Sequence, residues 1–130
     1  MDFYQETLKR KEEMVKDLQG LIQIPSLRDL DTKAENAPFG KDLRNALDYV
    51  LNMAEKDGFR TRDLEGYAGV VEFGEGDEIM GVLGHLDIVP IGTGWTFNPF
   101  GGEIKDGFIM GRGAQDDKGP TMAGYYAMKI

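Results

Sequence analysis

The only histidine of the chain, His85, stands two residues before Asp87 in the run GHLDIVP, and two adjacent carboxylates, Asp116 and Asp117, follow about thirty residues later in GRGAQDDKGP. Imidazole nitrogen and carboxylate oxygen are zinc-binding donors. A metal-bound histidine commonly gives its other ring N–H to a carboxylate, which fixes the tautomer and strengthens the ring as a ligand. His85 and Asp87 have that pattern. The same pair also reads as a strand-end histidine tied to a neighbouring acid, and either aspartate of the second motif could simply cap a helix N-terminus. Two acids at one glycine-rich turn exceed the needs of one cap. A phosphate cradle fits poorly, because Lys118 is followed by Gly119 rather than by Ser or Thr and sits behind two negative charges. The turn invites a cation.

The residue inventory removes other mechanisms. There is no cysteine, hence no thiolate nucleophile, disulfide or cysteine-type zinc finger, which suits a reducing cytoplasm. The one serine, Ser26, follows Pro25 in a polar stretch without the glycines of a nucleophile elbow, so a Ser-His-Asp triad is excluded. A glycosidase built on two carboxylates would leave the pairing of His85 with Asp87 without purpose. Metal-assisted hydrolysis uses both motifs.

Something must bring the motifs together. The run Ile79–Leu83, apolar apart from Gly81, reads as an interior strand buried on both faces that delivers His85 and Asp87 at its carboxyl end, where α/β folds place ligands. Asp116 and Asp117 precede a helix with Pro120 in its first turn and Met122, Ala123, Tyr126 and Ile130 at helical spacing. That pattern continues to the last residue, as in a longer protein interrupted inside a helix. Upstream, Met14, Val15, Leu18, Leu21 and Ile22 mark an amphipathic helix from Asp2 to about Gln23, and Leu43, Ala46, Leu47, Val50 and Ala54 mark a second from about Gly40 to Asp57. Ser26 to Ala37 reads as a surface loop. Phe59–Leu64 and Gly69–Phe73 read as strands, and Asp106-Gly107 as the turn of a hairpin joining Glu103–Lys105 to Phe108–Met110. The fold class is therefore α/β, a mixed sheet flanked by helices.

With 130 residues, 41% of them hydrophobic, the chain is one domain's length and able to bury a core. Its net charge of −8 opposes a nucleic-acid backbone, and no apolar run is long enough for a signal peptide or a membrane span. A cytoplasmic protein without nucleic-acid or membrane partners is expected.

The segment from GHLDIVP through GTGWTFNPFGGEIKDGFIMGRGAQDDKGPTMAGYYAMK resembles the zinc metallopeptidase family that holds bacterial dipeptidase V, the carnosinases, acetylornithine deacetylase and succinyl-diaminopimelate desuccinylase. The likeness extends back through both N-terminal helices, and the DDKGP form is nearer the dipeptidase branch. The resemblance implies the N-terminal part of a zinc-exopeptidase-like catalytic domain spanning residues 1–130. It implies His85 as ligand of one zinc, Asp116 as the carboxylate bridging two zincs, Asp87 as the group that orients His85, and a cis Asp116–Asp117 bond in the complete metal-bound enzyme. Asp117 is a secondary candidate. The implied substrates are dipeptides or other short peptides, cleaved by metal-activated water, while the general base and remaining ligands lie in a missing C-terminal part, leaving this chain inactive alone. A deacylase of N-acylated amino acids, or an acidic binding domain without catalysis, are the rival readings. Trp95, Phe97 and Phe100 are expected to pack the glycine-rich loop onto the domain rather than touch substrate, and Arg112 to make a structural ion pair.

Overall fold

The computed structural model describes all 130 residues. Helix α1 runs Phe3–Ile22, capped by the Asp2 side chain, which accepts from the Gln5 N–H. A short 3-10 turn at Leu30–Thr32 leads to α2, Lys41–Lys56, whose first N–H donates to the Thr32 hydroxyl because Gly40 has no side chain to offer. Strands β1, Arg60–Leu64, and β2, Ala68–Glu72, form one antiparallel hairpin. Strands β3, Glu103–Lys105, and β4, Phe108–Met110, form another, around a turn in which Asp106 and Gly107 both take positive φ, 51° and 82°. Helix α3 spans Lys118–Lys129. The α/β class is as expected, and the sheet content of these residues is two antiparallel hairpins.

The core lies where α1 and α3 meet, with α2 closing it. Leu21, Ala46, Ala54, Met122, Tyr125 and Tyr126 form its buried centre, with Met14, Leu18, Tyr49 and Val50 packed around them. These are the apolar stripes of the three helices. Phe59 adds an edge-on contact to Tyr125 at 5.7 Å between ring centroids. No helix is long and apolar enough to cross a membrane.

Two expectations are overturned. Ile79–Leu83 belongs to neither hairpin, and Ile79, Met80 and Leu83 are 90%, 91% and 99% exposed. A strand exists only through the ladder it makes with neighbours, and no segment of the chain lies alongside this one to pair with it. Only Val82 leans onto the molecule, toward Gly124 of α3. Ser26, read as part of a surface loop, is fully buried.

A polar cluster ties the helices together at the far end of α3. Tyr126 donates to Asp17 at 2.6 Å, Tyr125 to Asp57 at 2.5 Å, and Lys129 bridges Glu13 and Asp57. Burial works against the charge of Asp57, but Lys129 and the Tyr125 hydroxyl outweigh it and hold the carboxyl below the ordinary aspartate range. A carboxyl depressed by folding contributes stability that is present above its unfolded value, about 4, and is lost as pH falls through the folded value. Thermal unfolding followed from neutral pH into that acid window is therefore expected to fall more steeply for the wild type than for Lys129→Met, in which the main cationic partner is gone. Parallel acid profiles for the two proteins would contradict this.

Candidate metal centre

The two motifs converge. His85 Nδ1 lies 3.0 Å from Asp87 Oδ1 and 3.2 Å from the Asp87 carbonyl oxygen, while Nε2 lies 3.1 Å from Asp116 Oδ1. His85 and Asp87 meet without a strand, by local folding of the 85–87 backbone, and Asp116 arrives from the turn that opens α3. The imidazole and the Asp87 and Asp116 carboxylates are open to solvent, on the rim of a cleft of about 430 Å³ whose walls include Ile88, Val89, Arg112 and Gln115, while Asp117 is partly buried.

Asp117 does something different. It occupies the N-cap position of α3 but makes no side-chain cap bond to the helix. Its Oδ2 instead accepts the backbone N–H of His85 at 3.1 Å and the Thr121 hydroxyl at 3.3 Å, so it secures the main chain that carries the imidazole. The Asp116–Asp117 bond is cis. Close approach here needs Gly84, because a Cβ at that position would lie 3.1 Å from Thr121 Cβ and 3.3 Å from Asp117 Oδ2.

The electrostatics follow from the donor set. Desolvation works against a charged ring, but Asp116, Asp87 and Asp117 outweigh it and raise the pKa of His85 above the ordinary histidine value. A neutral imidazole has one N–H, yet both ring nitrogens here face carboxylate oxygens. The arrangement is satisfied by a doubly protonated ring, or by a cation shared between Nε2 and Asp116 Oδ1 with the Nδ1–H donated to Asp87. The donor chemistry fits a metal ion in part: two donors are in place where zinc takes about four, and no group of three or more His, Cys, Asp or Glu side chains is disposed to hold a metal ion within the chain.

Arg112 departs from expectation. It makes no ion pair; its guanidinium lies 5.0 Å from the centre of the Trp95 ring, and its Nε is buried without a partner. Trp95 is fixed by its Nε1–H donated to the Ile91 carbonyl at 2.7 Å and by an edge contact with Phe97, both within its own loop. Two residues near the site have roles that their types and spacing did not indicate. Ser26 and Lys118 are both fully buried, the hydroxyl donating to the Leu86 carbonyl and the ammonium to the carbonyls of Leu21 and Ile24. Burial pushes the Lys118 pKa down to about 8. One signal for Lys118 was legible: a cation in the first turn of a helix opposes the macrodipole and needs another reason to be there. Ser26 carried no comparable local signal.

Residues 81–130, which hold both motifs, match the model of "Peptidase family M20/M25/M40". The whole chain is 48% identical over 130 residues to "Putative dipeptidase YtjP" of Bacillus subtilis, covering 28% of that protein. It is 45% identical over 126 residues, 97% of the chain, to a Staphylococcus epidermidis protein named "Putative dipeptidase", covering 27% of it. A Staphylococcus haemolyticus protein of similar name is 47% identical over 118 residues, 91% of the chain and 25% of the relative. The chain thus spans about a quarter of the length of these relatives. By its two motifs, the likeness along the chain and the match of its last fifty residues, the chain is similar to peptidase family M20/M25/M40.

Proposed function

We propose that the chain is the N-terminal part, residues 1–130, of the catalytic domain of a zinc-dependent dipeptidase. The observation that carries this is the His85 imidazole held by Asp87 on one nitrogen and turned toward Asp116 with the other. In this reading His85 and Asp116 would hold the metal, and Asp87 would fix the tautomer that leaves Nε2 free to bind. Asp117 holds the His85 backbone. Zinc, when bound, supplies Lewis-acid polarisation of a peptide carbonyl and lowers the pKa of water. The remaining ligands and the general base belong to the further part of the protein, which is also this chain's obligate partner. The substrates are small peptides. The absence of cysteine supports a cytoplasmic setting, and the acidic surface argues against nucleic acid as a partner.

The experiment compares this chain with a polypeptide of the relatives' full length that begins with it. Calorimetry is expected to give weak, exchangeable zinc binding for the chain, since two protein ligands leave the ion mostly hydrated, and tight binding for the longer protein. Dipeptide cleavage with added zinc is expected only from the longer protein and to stop with a chelator. Chelator-sensitive turnover by the 130 residues alone would show that the catalytic residues were misassigned. Cleavage of N-acylated amino acids in preference to dipeptides would favour the deacylase reading, and stoichiometric zinc without any turnover in the longer protein would favour the non-catalytic one.

A further inference from the structure

Both segments that carry the candidate ligands are fastened to the same short stretch, the end of α1 and the turn that follows it. On one side, Ser26 Oγ donates to the Leu86 carbonyl at 2.5 Å and the Ile88 N–H donates to the Ser26 carbonyl at 3.1 Å, so the two bonds bracket Asp87 directly after His85. On the other, Lys118 Nζ donates to the Leu21 carbonyl at 2.9 Å and to the Ile24 carbonyl at 2.7 Å, two residues after Asp116. Ser26 and Lys118 are each 0% exposed.

Burying a hydroxyl and an ammonium costs free energy that only well-made hydrogen bonds offset, so neither residue is there as packing. Leu21 is the penultimate residue of α1, and its carbonyl, past the last helical N–H, accepts the Ile24 N–H at 3.3 Å as well as Lys118. The last turn of α1 has no basic residue of its own, and Lys118 supplies a cation to it from far along the chain. The His85 segment needs external fastening more than most, because it has no strand ladder and Ile79, Met80 and Leu83 ahead of it are almost fully exposed. Leu21 and Ile22, by contrast, are wholly buried, so this end of α1 is anchored in the core.

We propose that Ser26 and Lys118 are positioning residues of the metal centre: by fastening the 85–88 segment and the start of α3 to one buried helix end, they set the separation of the His85 imidazole and the Asp116 carboxylate. Neither touches metal or substrate. The inference rests on reading His85 and Asp116 as metal ligands, and its effect is on affinity rather than on folding.

The test uses Ser26→Ala and Lys118→Met in the polypeptide of the relatives' full length. Zinc affinity is measured by competition with a chelator, the ligand field by the absorption of the cobalt(II)-substituted protein, and the metal-free backbone by amide hydrogen exchange over residues 84–89. Ser26→Ala removes one oxygen and is expected to keep the helical circular dichroism of the wild type. Its zinc affinity should fall roughly 10- to 100-fold, as when groups that orient metal ligands are lost, with an altered cobalt spectrum and faster exchange at Ile88. Lys118→Met should shift the same three readouts in the same direction. A folded Ser26→Ala protein with wild-type zinc affinity, cobalt spectrum and exchange would overturn the inference alone. A wild-type protein that takes up neither zinc nor cobalt would overturn the reading beneath it.

Discussion

Replacing His85 by alanine in the full-length polypeptide is expected to abolish chelator-sensitive dipeptide hydrolysis. Asp87→Asn is expected to leave a measurable remainder, roughly 10- to 100-fold below wild type, because it weakens the orientation of a ligand without removing one. The two substitutions differ in kind. His85 is the only imidazole among these residues, and its Nε2 is the nitrogen that faces Asp116, so no neighbouring side chain can replace it. Asp87 acts through Nδ1, where its own main-chain carbonyl already lies 3.2 Å from the ring and can keep part of the orientation after the carboxylate is neutralised. Steady-state rates and zinc content measured on the same samples check this. Equal, complete losses in both variants would mean that Asp87 does more than orient, and an active His85→Ala protein would remove the imidazole from the site altogether.

Leu21→Ala is expected to have the largest effect on stability, about 2–5 kcal/mol, which is a large share of the 5–15 kcal/mol that holds a typical domain. Leu21 is fully buried among Ala46, Ala54, Met122, Tyr125 and Tyr126, and the two alanines leave little side chain to relax into the space it would vacate. Its carbonyl receives Lys118, so movement of this helix end would also reach the start of α3. Urea unfolding should show a lower midpoint with an unchanged slope. A loss under about 1 kcal/mol would mean that α1 and α3 close over the cavity.

The parts of the molecule legible in its residues are those decided by local or periodic physics. Three apolar stripes with a period near 3.6 mark α1, α2 and α3, because a helix shows the core only one face whatever surrounds it. The Asp106-Gly107 turn is legible for a similar reason: two consecutive residues at positive φ favour these types, and the register of β3 and β4 follows from the turn. The donor types at His85, Asp87 and Asp116 are equally plain, since ligand chemistry is a property of side chains.

Only the tertiary structure decided what depends on partners distant in sequence. Ile79–Leu83 has the composition of an interior strand, yet it stands exposed because a ladder needs a neighbour that no periodicity can supply. Ser26, the only serine, reads as part of a surface loop, yet it is buried and bonded to a residue sixty positions away. Arg112 was expected to seek an acid and lies over Trp95 instead. Asp117 stands where a helix cap belongs and holds the His85 backbone. In each case the residue type set what the group could bond, and the partner was chosen by the folding of the chain, because burial makes a polar group take whatever acceptor or donor the packing of remote segments brings within about 3 Å.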